Sequence, residues 1–543
     1  MDSHSSLRVL NRMILNGNIL DSIKMIDEMS EISPEIAVMK TKLYVILEQF
    51  EDSNAFIDSY FTSDNRKLDK DDLARGMIAK AFNYVNEGRI QEAEMLLAES
   101  EEQVIVNVPY FQDLSLKQKS MLIEWYYAKA FMMRKIGNPS KALEYLNVIL
   151  PLIDDDAYQK LPLMVGRIFN ETGAIYYFIG KINEAEEYWK EGYYLRTKYG
   201  NQYELANSIN NLATLSIKVG DLHTAETYLL KCLEIYKKIR AKSKMAIIYN
   251  NLGLVYESKH ELDKAETYTH MALSINTSLG NIIPQMNNLI NLSKIYLKKG
   301  KFSESEELLF KVLNILESKR QMILEGEALL ILITLYLEKK DKSSAIRYFK
   351  RLNELNHKTR NGLMKFRRDL AKALISRFSD RIIAQADAQM RFREIIEDPD
   401  VPSDIQVIAY IHLSDLLLQE LRFIEDKSEV LTELNILTEN LQDIAFEYPN
   451  YSLLVQILIL KSKLAMIDND LERSKVLIDQ AIEVANKNSL PLSREKAQAH
   501  LSRLQNEIQM WDRILKQNSS LVDRIEESDV INYMKDVVRK YEL

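Results

Sequence analysis

Apolar residues recur along this chain at helical spacing, three and four apart, and hardly anywhere in strict alternation. The spacing predicts amphipathic helices joined by short turns. In the middle of the chain the pattern itself repeats. Gly173, Ala213, Gly253, Ser293 and Ile333 stand 40 residues apart, and Tyr176, Ser216, Tyr256, Tyr296 and Tyr336 keep the same step. So do Gly180, Gly220, His260, Gly300 and Lys340, then Ala185, Ala225, Ala265, Ser305 and Ala345, then Tyr188, Tyr228, Tyr268, Leu308 and Tyr348. Five columns in phase predict a helix, a turn and a second helix, copied in tandem. Small residues in both helices allow close approach, tyrosines fill the space between them, and glycine closes the first helix in a left-handed conformation. Such a hairpin leaves an apolar face uncovered, so it must stack on its neighbour.

These columns resemble the tetratricopeptide repeat. "NLGLVYESKHELDKAETYTHMAL" (251–273) carries its Leu-Gly, Tyr, Ala and Ala-Leu signature. The 40-residue step is similar to the longer form found in kinesin light chains, Pins-type spindle-orientation adaptors and peptide-sensing bacterial regulators. The resemblance is strong over about 160–355. It implies an all-α, right-handed α-solenoid of helical hairpins ending in a C-terminal helical block. Four stretches follow: degenerate capping hairpins (1–60), divergent hairpins with insertions (61–160), the regular array (161–356) and a C-terminal helical domain (357–543). In that last stretch the columns are lost while the helix signal persists, and 405–423 is apolar enough to require burial. One more hairpin is expected at 451–485 and a long amphipathic helix at 495–515. The block looks similar to the C-terminal part of large archaeal tetratricopeptide proteins.

Composition agrees with an all-helical chain: only 15 glycines and 10 prolines in 543 residues. A net charge of −8 argues against a nucleic-acid binder. A single cysteine excludes a disulfide framework, and its place in a small-residue column, as Cys232, assigns it to packing. The first residues lack the basic and apolar regions of a signal peptide, and no apolar run reaches bilayer length, so the expected location is cytoplasmic, off the membrane. The seven histidines are scattered without metal-ligand spacing, and no phosphate-cradling glycine loop or nucleophile elbow occurs. No catalysis, cofactor or metal is expected.

Asparagine is a mediocre helix former, yet it recurs here in the first helices. Asn207, Asn210 and Asn211 share a helix face; Asn250 and Asn251 repeat the phase of Asn210 and Asn211, and Asn287 and Asn291 that of Asn207 and Asn211. Asn170 joins one repeat earlier. In the resembled family this face lines the concave groove. An amide there can donate to a peptide carbonyl and accept from a peptide N–H. Arg167, Lys218, Lys294 and Lys298 lie along the same face and would favour an acidic peptide or a C-terminal carboxylate. Asn211, Asn251 and Asn291 also occupy a position where the family commonly carries asparagine whatever it binds. The leading expectation is a non-catalytic scaffold that holds a peptide in its groove. The alternative is a sensor whose solenoid changes pitch on ligand binding and signals through the C-terminal block. A third reading uses the basic run 357–381, eight cations against Asp369 and Asp380, for nucleic acid; the bland counterpart is a solvated face paired with the acids of 394–404.

Overall fold

The structure is a computed structural model of the chain. It describes residues 9–10, 12–14 and 18–541, leaving out 48, 62–67, 106–115, 154–157, 159–161, 200–201, 260, 320, 360–361, 380, 400, 422, 425–426, 448–449, 489, 491–492, 504 and 506–520. The turn residue His260 and most of the helix expected at 495–515 therefore lie outside the described residues, although 493–503 is helical. Every regular element among the described residues is a helix. Contacts divide the chain into two compact units, Met1–Leu215 with Thr227–Ile248, and Ser216–Glu226 with Tyr249–Leu543.

The first unit is a tandem of antiparallel hairpins. Its complete pairs include Lys70–Glu87 with Ile90–Ile105, Leu116–Lys135 with Pro139–Ile149, and Pro162–Phe178 with Ile182–Tyr199. The second unit continues the design through Ile282–Lys298 with Phe302–Lys319 and Met322–Glu338 with Lys342–Thr359. In both units the first helices of successive hairpins pack on one another, while successive second helices meet at most marginally. That asymmetry is the curvature of an α-solenoid, with first helices on the inside.

The repeated columns do the packing work assigned to them. A Cβ on Gly173 would stand 2.5 Å from the Trp189 ring, and one on Gly253 2.5 Å from the Thr269 hydroxyl. Tyr176 stacks on Tyr188, Tyr256 on Tyr268 and Tyr336 on Tyr348, with centroids 5.2–5.6 Å apart. Gly180, Gly220 and Gly300 close their helices at φ of 72° to 83°; in the same column Lys340 takes φ 57°, so a side chain is tolerated there. Cys232 is buried with its thiol 3.3 Å from the Ala206 carbonyl, and burial pushes it up to about 12, which suits a packing role.

Tyrosine hydroxyls and lysines also clamp three of the first helices to the second helix before each. Tyr256 and Lys259 both bond Glu226, Tyr296 and Lys299 bond Glu266, and Tyr336 and Lys339 bond Glu306. Each carboxyl is pushed up by burial but ends below its ordinary range, because the lysine and tyrosine outweigh that effect.

Beyond residue 358 the sequence columns vanish, but the hairpins keep their step as far as Ser403. First helices begin at Ile282, Met322, Gly362 and Ser403, and a further one at Tyr451. Tyr451–Ile467 and Leu471–Lys487 form the hairpin expected at 451–485. Within the apolar 405–423 stretch, residues 407–418 are buried on all sides for a reason absent from the repeat pattern, while Phe423 at its end is exposed. The last helix, Val530–Tyr541, packs across Ser403–Glu420 and Tyr451–Ile467, burying Val530, Ile531, Met534, Val537 and Val538. One continuous core runs from Met286 to Val538.

Candidate functional site

The twelve residues singled out from sequence divide between the two units. In the first, Asn211 Nδ2 donates to Asn170 Oδ1 at 3.0 Å, tying Gln202–Lys218 to Pro162–Phe178. Asn207 accepts from the Tyr236 hydroxyl at 2.9 Å, and Asn210 lies half-buried beside it on the helix. Arg167 donates twice to Glu204, at 2.8 and 2.6 Å. Glu204 also takes Arg196, which reaches on to the Ser208 hydroxyl at 2.8 Å. Burial pushes Glu204 up, but the two guanidiniums win and hold it below the carboxylate range. One repeat earlier Arg134 grips Glu171 in the same way, and Lys42 meets Glu124 at 2.9 Å.

In the second unit the amides form a three-sided knot. Asn250 Oδ1 accepts from Asn288 at 2.8 Å and from Asn291 at 2.9 Å, and buried Asn288 accepts from Asn276 at 2.8 Å. Asn251 is half-buried on the same helix, whereas Asn287 is exposed and outside the knot. Lys294 pairs with Glu327 at 2.9 Å and Lys298 with Glu257 at 2.8 Å; Lys218 is half-buried at the end of its helix. So the first-helix faces carry a ladder that stitches neighbouring repeats together. Three of the four cations counted toward an acidic ligand already hold a carboxylate of their own chain.

The chemistry left over can be counted. An asparagine amide has two N–H donors and an oxygen that accepts twice. At Asn250 both acceptor places are taken by neighbours, so what it presents is its N–H pair. Sequence reasoning missed Asn276, Asn288, Arg196 and Glu204. Asn288 was visible as half of the "NN" pair 287–288 and stands 80 residues, two repeat steps, after hydrogen-bonding Ser208.

Four of the eight cations in the basic run 357–381 are paired. Lys365 meets Asp398 at 2.7 Å, Arg377 meets Asp415 at 2.8 Å, Arg367 lies 3.4 Å from Glu327, and Arg368 holds Asp369. Asp398 belongs to the acidic stretch 394–404. Among the described residues no group of three or more His, Cys, Asp or Glu could hold a metal ion, and no helix is long and apolar enough to cross a membrane.

A family described as tetratricopeptide repeat matches residues 205–240. Residues 205–240 are thus a tetratricopeptide repeat, and helical hairpins of the same kind stand on either side of them. No curated protein sequence matches the chain. Similar solved structures include NprR in complex with its cognate peptide NprX, at 15% identity over 78% of this chain and 100% of that one, TM-score 0.49. Another is a Rap protein complexed with Competence and Sporulation Factor, at 13% identity over 81% and 99%, TM-score 0.45. A third is PH0952 from Pyrococcus horikoshii, a signal transduction ATPase with a tetratricopeptide repeat sensor, at 15% identity over 72% and 55%, TM-score 0.41.

Proposed function

We propose that the chain is a non-catalytic binding protein that holds an extended peptide on its first-helix faces, by hydrogen bonds from asparagine amides to the peptide backbone. The observation that carries this reading is the knot at Asn250. Its oxygen is saturated by Asn288 and Asn291, which fixes the amide plane, and a peptide carbonyl could then be met by its N–H donors. Asn170 and Asn211 supply a similar fixed amide in the first unit.

An acidic peptide or a C-terminal carboxylate fits this face less well than a neutral backbone. Such a group would have to displace Glu204, Glu257 or Glu327 from a cation already paired. The test is selection from a random peptide library displayed on phage, with the intact chain as bait. Peptides so selected should bind Asn250→Ala/Asn251→Ala and Asn170→Ala/Asn211→Ala at least about tenfold more weakly, a loss of about 1.4 kcal/mol. Equal affinity for wild type and both variants sinks the reading.

The sensor alternative rests on a separate contact within the second unit. Tyr451 N–H donates to the Val219 carbonyl at 3.2 Å, and Gly220 packs against Asn450 and Ser452. A turn of the array thus touches the start of a C-terminal hairpin, and a change of pitch between them would break that touch. Small-angle scattering that is identical with and without a selected peptide counts against a sensor while leaving the scaffold standing. The nucleic-acid reading is weakest, since four of the eight cations of 357–381 already hold acids of this chain; retention on RNA at low salt with a steep salt dependence would revive it.

A further inference from the structure

The charged run that looked like an anion patch instead floors a cavity of about 500 Å3 in the second unit. Its walls are two successive second helices, Lys342–Thr359 and Ile382–Glu397, and its floor is Gly362–Arg377. Second helices stand apart on this side of the solenoid, so the opening is a product of the curvature and not of the peptide-binding face. The volume is that of a site for a drug-sized molecule. At its base lie Phe366 and Ile395, both buried, with Phe349 half-buried beside them.

The polar lining is of both signs, and most of it is already engaged. Lys365 holds Asp398, Arg368 holds Asp369, and Arg391 makes two bonds of 2.8 Å to Asp387 on its own helix. Two charges remain. Lys372 on the floor helix and Glu394 on the facing wall are exposed at the rim; neither makes a hydrogen bond or a close ion pair among the described residues, although Lys372 lies in the field of Asp387. Asn353 adds a neutral amide on the other wall. An anion alone would meet Glu394 and Asp398, and a cation alone would meet Lys372 and Arg391. A molecule carrying both charges, with an apolar body between them, satisfies the rim and the base together.

We propose that this cavity binds a short zwitterionic peptide of two or three residues with an apolar side chain, its carboxylate on Lys372 and its ammonium on Glu394. The side chain lies on Phe366, Ile395 and Phe349. This site is separate from the asparagine face and does not depend on what that face holds.

Calorimetric titration of the full chain with the dipeptide phenylalanyl-leucine, its N-acetyl form and its C-terminal amide tests the assignment. Saturable binding of the free dipeptide is expected, weakened at least about tenfold by blocking either end. Lys372→Ala should lower affinity to the same degree and erase the difference between acid and amide. Glu394→Gln should do so for the difference between free and acetylated amine. Both side chains are exposed, so neither change is expected to unfold the protein. Absence of saturable binding by phenylalanyl-leucine at millimolar concentration overturns the proposal, as does binding that either variant leaves unaltered.

Discussion

Two first-helix faces in the second unit have opposite characters. On Ser403–Glu420 and Tyr451–Ile467 the face is apolar and carries the chain's own last helix, Val530–Tyr541, with Tyr533 donating to the Gln456 carbonyl at 3.0 Å. On residues 249–258 and on Ile282–Lys298 it is a knot of buried and half-buried amides flanked by ion pairs. One fold thus presents the same surface in two chemistries. Where a permanent occupant buries it, hydrophobic area does the holding. Where it stays part-exposed, hydrogen bonds between repeats keep it in shape and keep bare apolar surface off the outside.

A charge placed under the last helix should break the comparison most sharply. Met534→Asp puts a carboxylate into a core position that is 1% exposed, and urea unfolding should show a loss of about 3 kcal/mol or more. The same residue placed at exposed Asn287 should change stability by no more than about 0.5 kcal/mol. Equal effects at the two positions would mean that the last helix is not part of the core.

Acid should find the apolar block before it finds the ion-pair ladder. Burial holds the His412 imidazole well below its ordinary value, with Arg377 adding to the effect. His500 is pushed down to about 4 by burial and by Lys463 and Arg503. The unfolded chain takes up these protons below about pH 6.5 and the folded chain does not. Stability is therefore full above that pH and falls as pH drops toward 4, by roughly 2 kcal/mol between pH 6.5 and 5 for His500 alone. Carboxylates such as Glu204 and Glu327, whose folded values are depressed, give way only below the ordinary carboxylate range. Urea midpoints at pH 7 and 5 should differ for wild type and differ less for His500→Phe.

Within the amide-lined region, Gly253→Ala should cost about 1–3 kcal/mol by thermal unfolding, because its Cβ would lie 2.5 Å from the Thr269 oxygen. Asn250→Ala is gentler than Gly253→Ala. It leaves the Asn288 and Asn291 donors without their shared acceptor and should cost about 1 kcal/mol, with helicity by circular dichroism unchanged.

The repeat was legible because its constraints are local and fixed in spacing. Gly173 must be small because Trp189 lies on it, and Tyr256 must be aromatic because Tyr268 stacks there. Past residue 358 the spacing survives in the helices that begin at Gly362 and Ser403, while the residues that announce it are replaced. There the core is shared with other helices, and any well-packed apolar residue serves. The candidate site was legible in type and blurred in detail. The face and its amides could be read, but Asn288 and not Asn287 is the buried member, a difference of one helical position decided by Asn276 on the preceding helix. The acids that neutralise Arg167, Lys294 and Lys298 sit 33 to 41 residues away, and no spacing rule within one helix reveals them. The closing helix did carry a signal in Val530, Ile531, Met534, Val537 and Val538, one apolar stripe, though nothing in it names the surface it covers.

The Tyr–Glu–Lys clamps have a consequence for how such a chain can grow. Each is made of two halves, a glutamate on one hairpin and a tyrosine with its lysine on the next, at the same offset in all three copies. A hairpin duplicated as a 40-residue block would arrive carrying both halves, ready to fasten to its parent on one side and to the old neighbour on the other. Lengthening by whole modules therefore requires no new complementarity, whereas an insertion of any other size strands one half of a clamp at each seam.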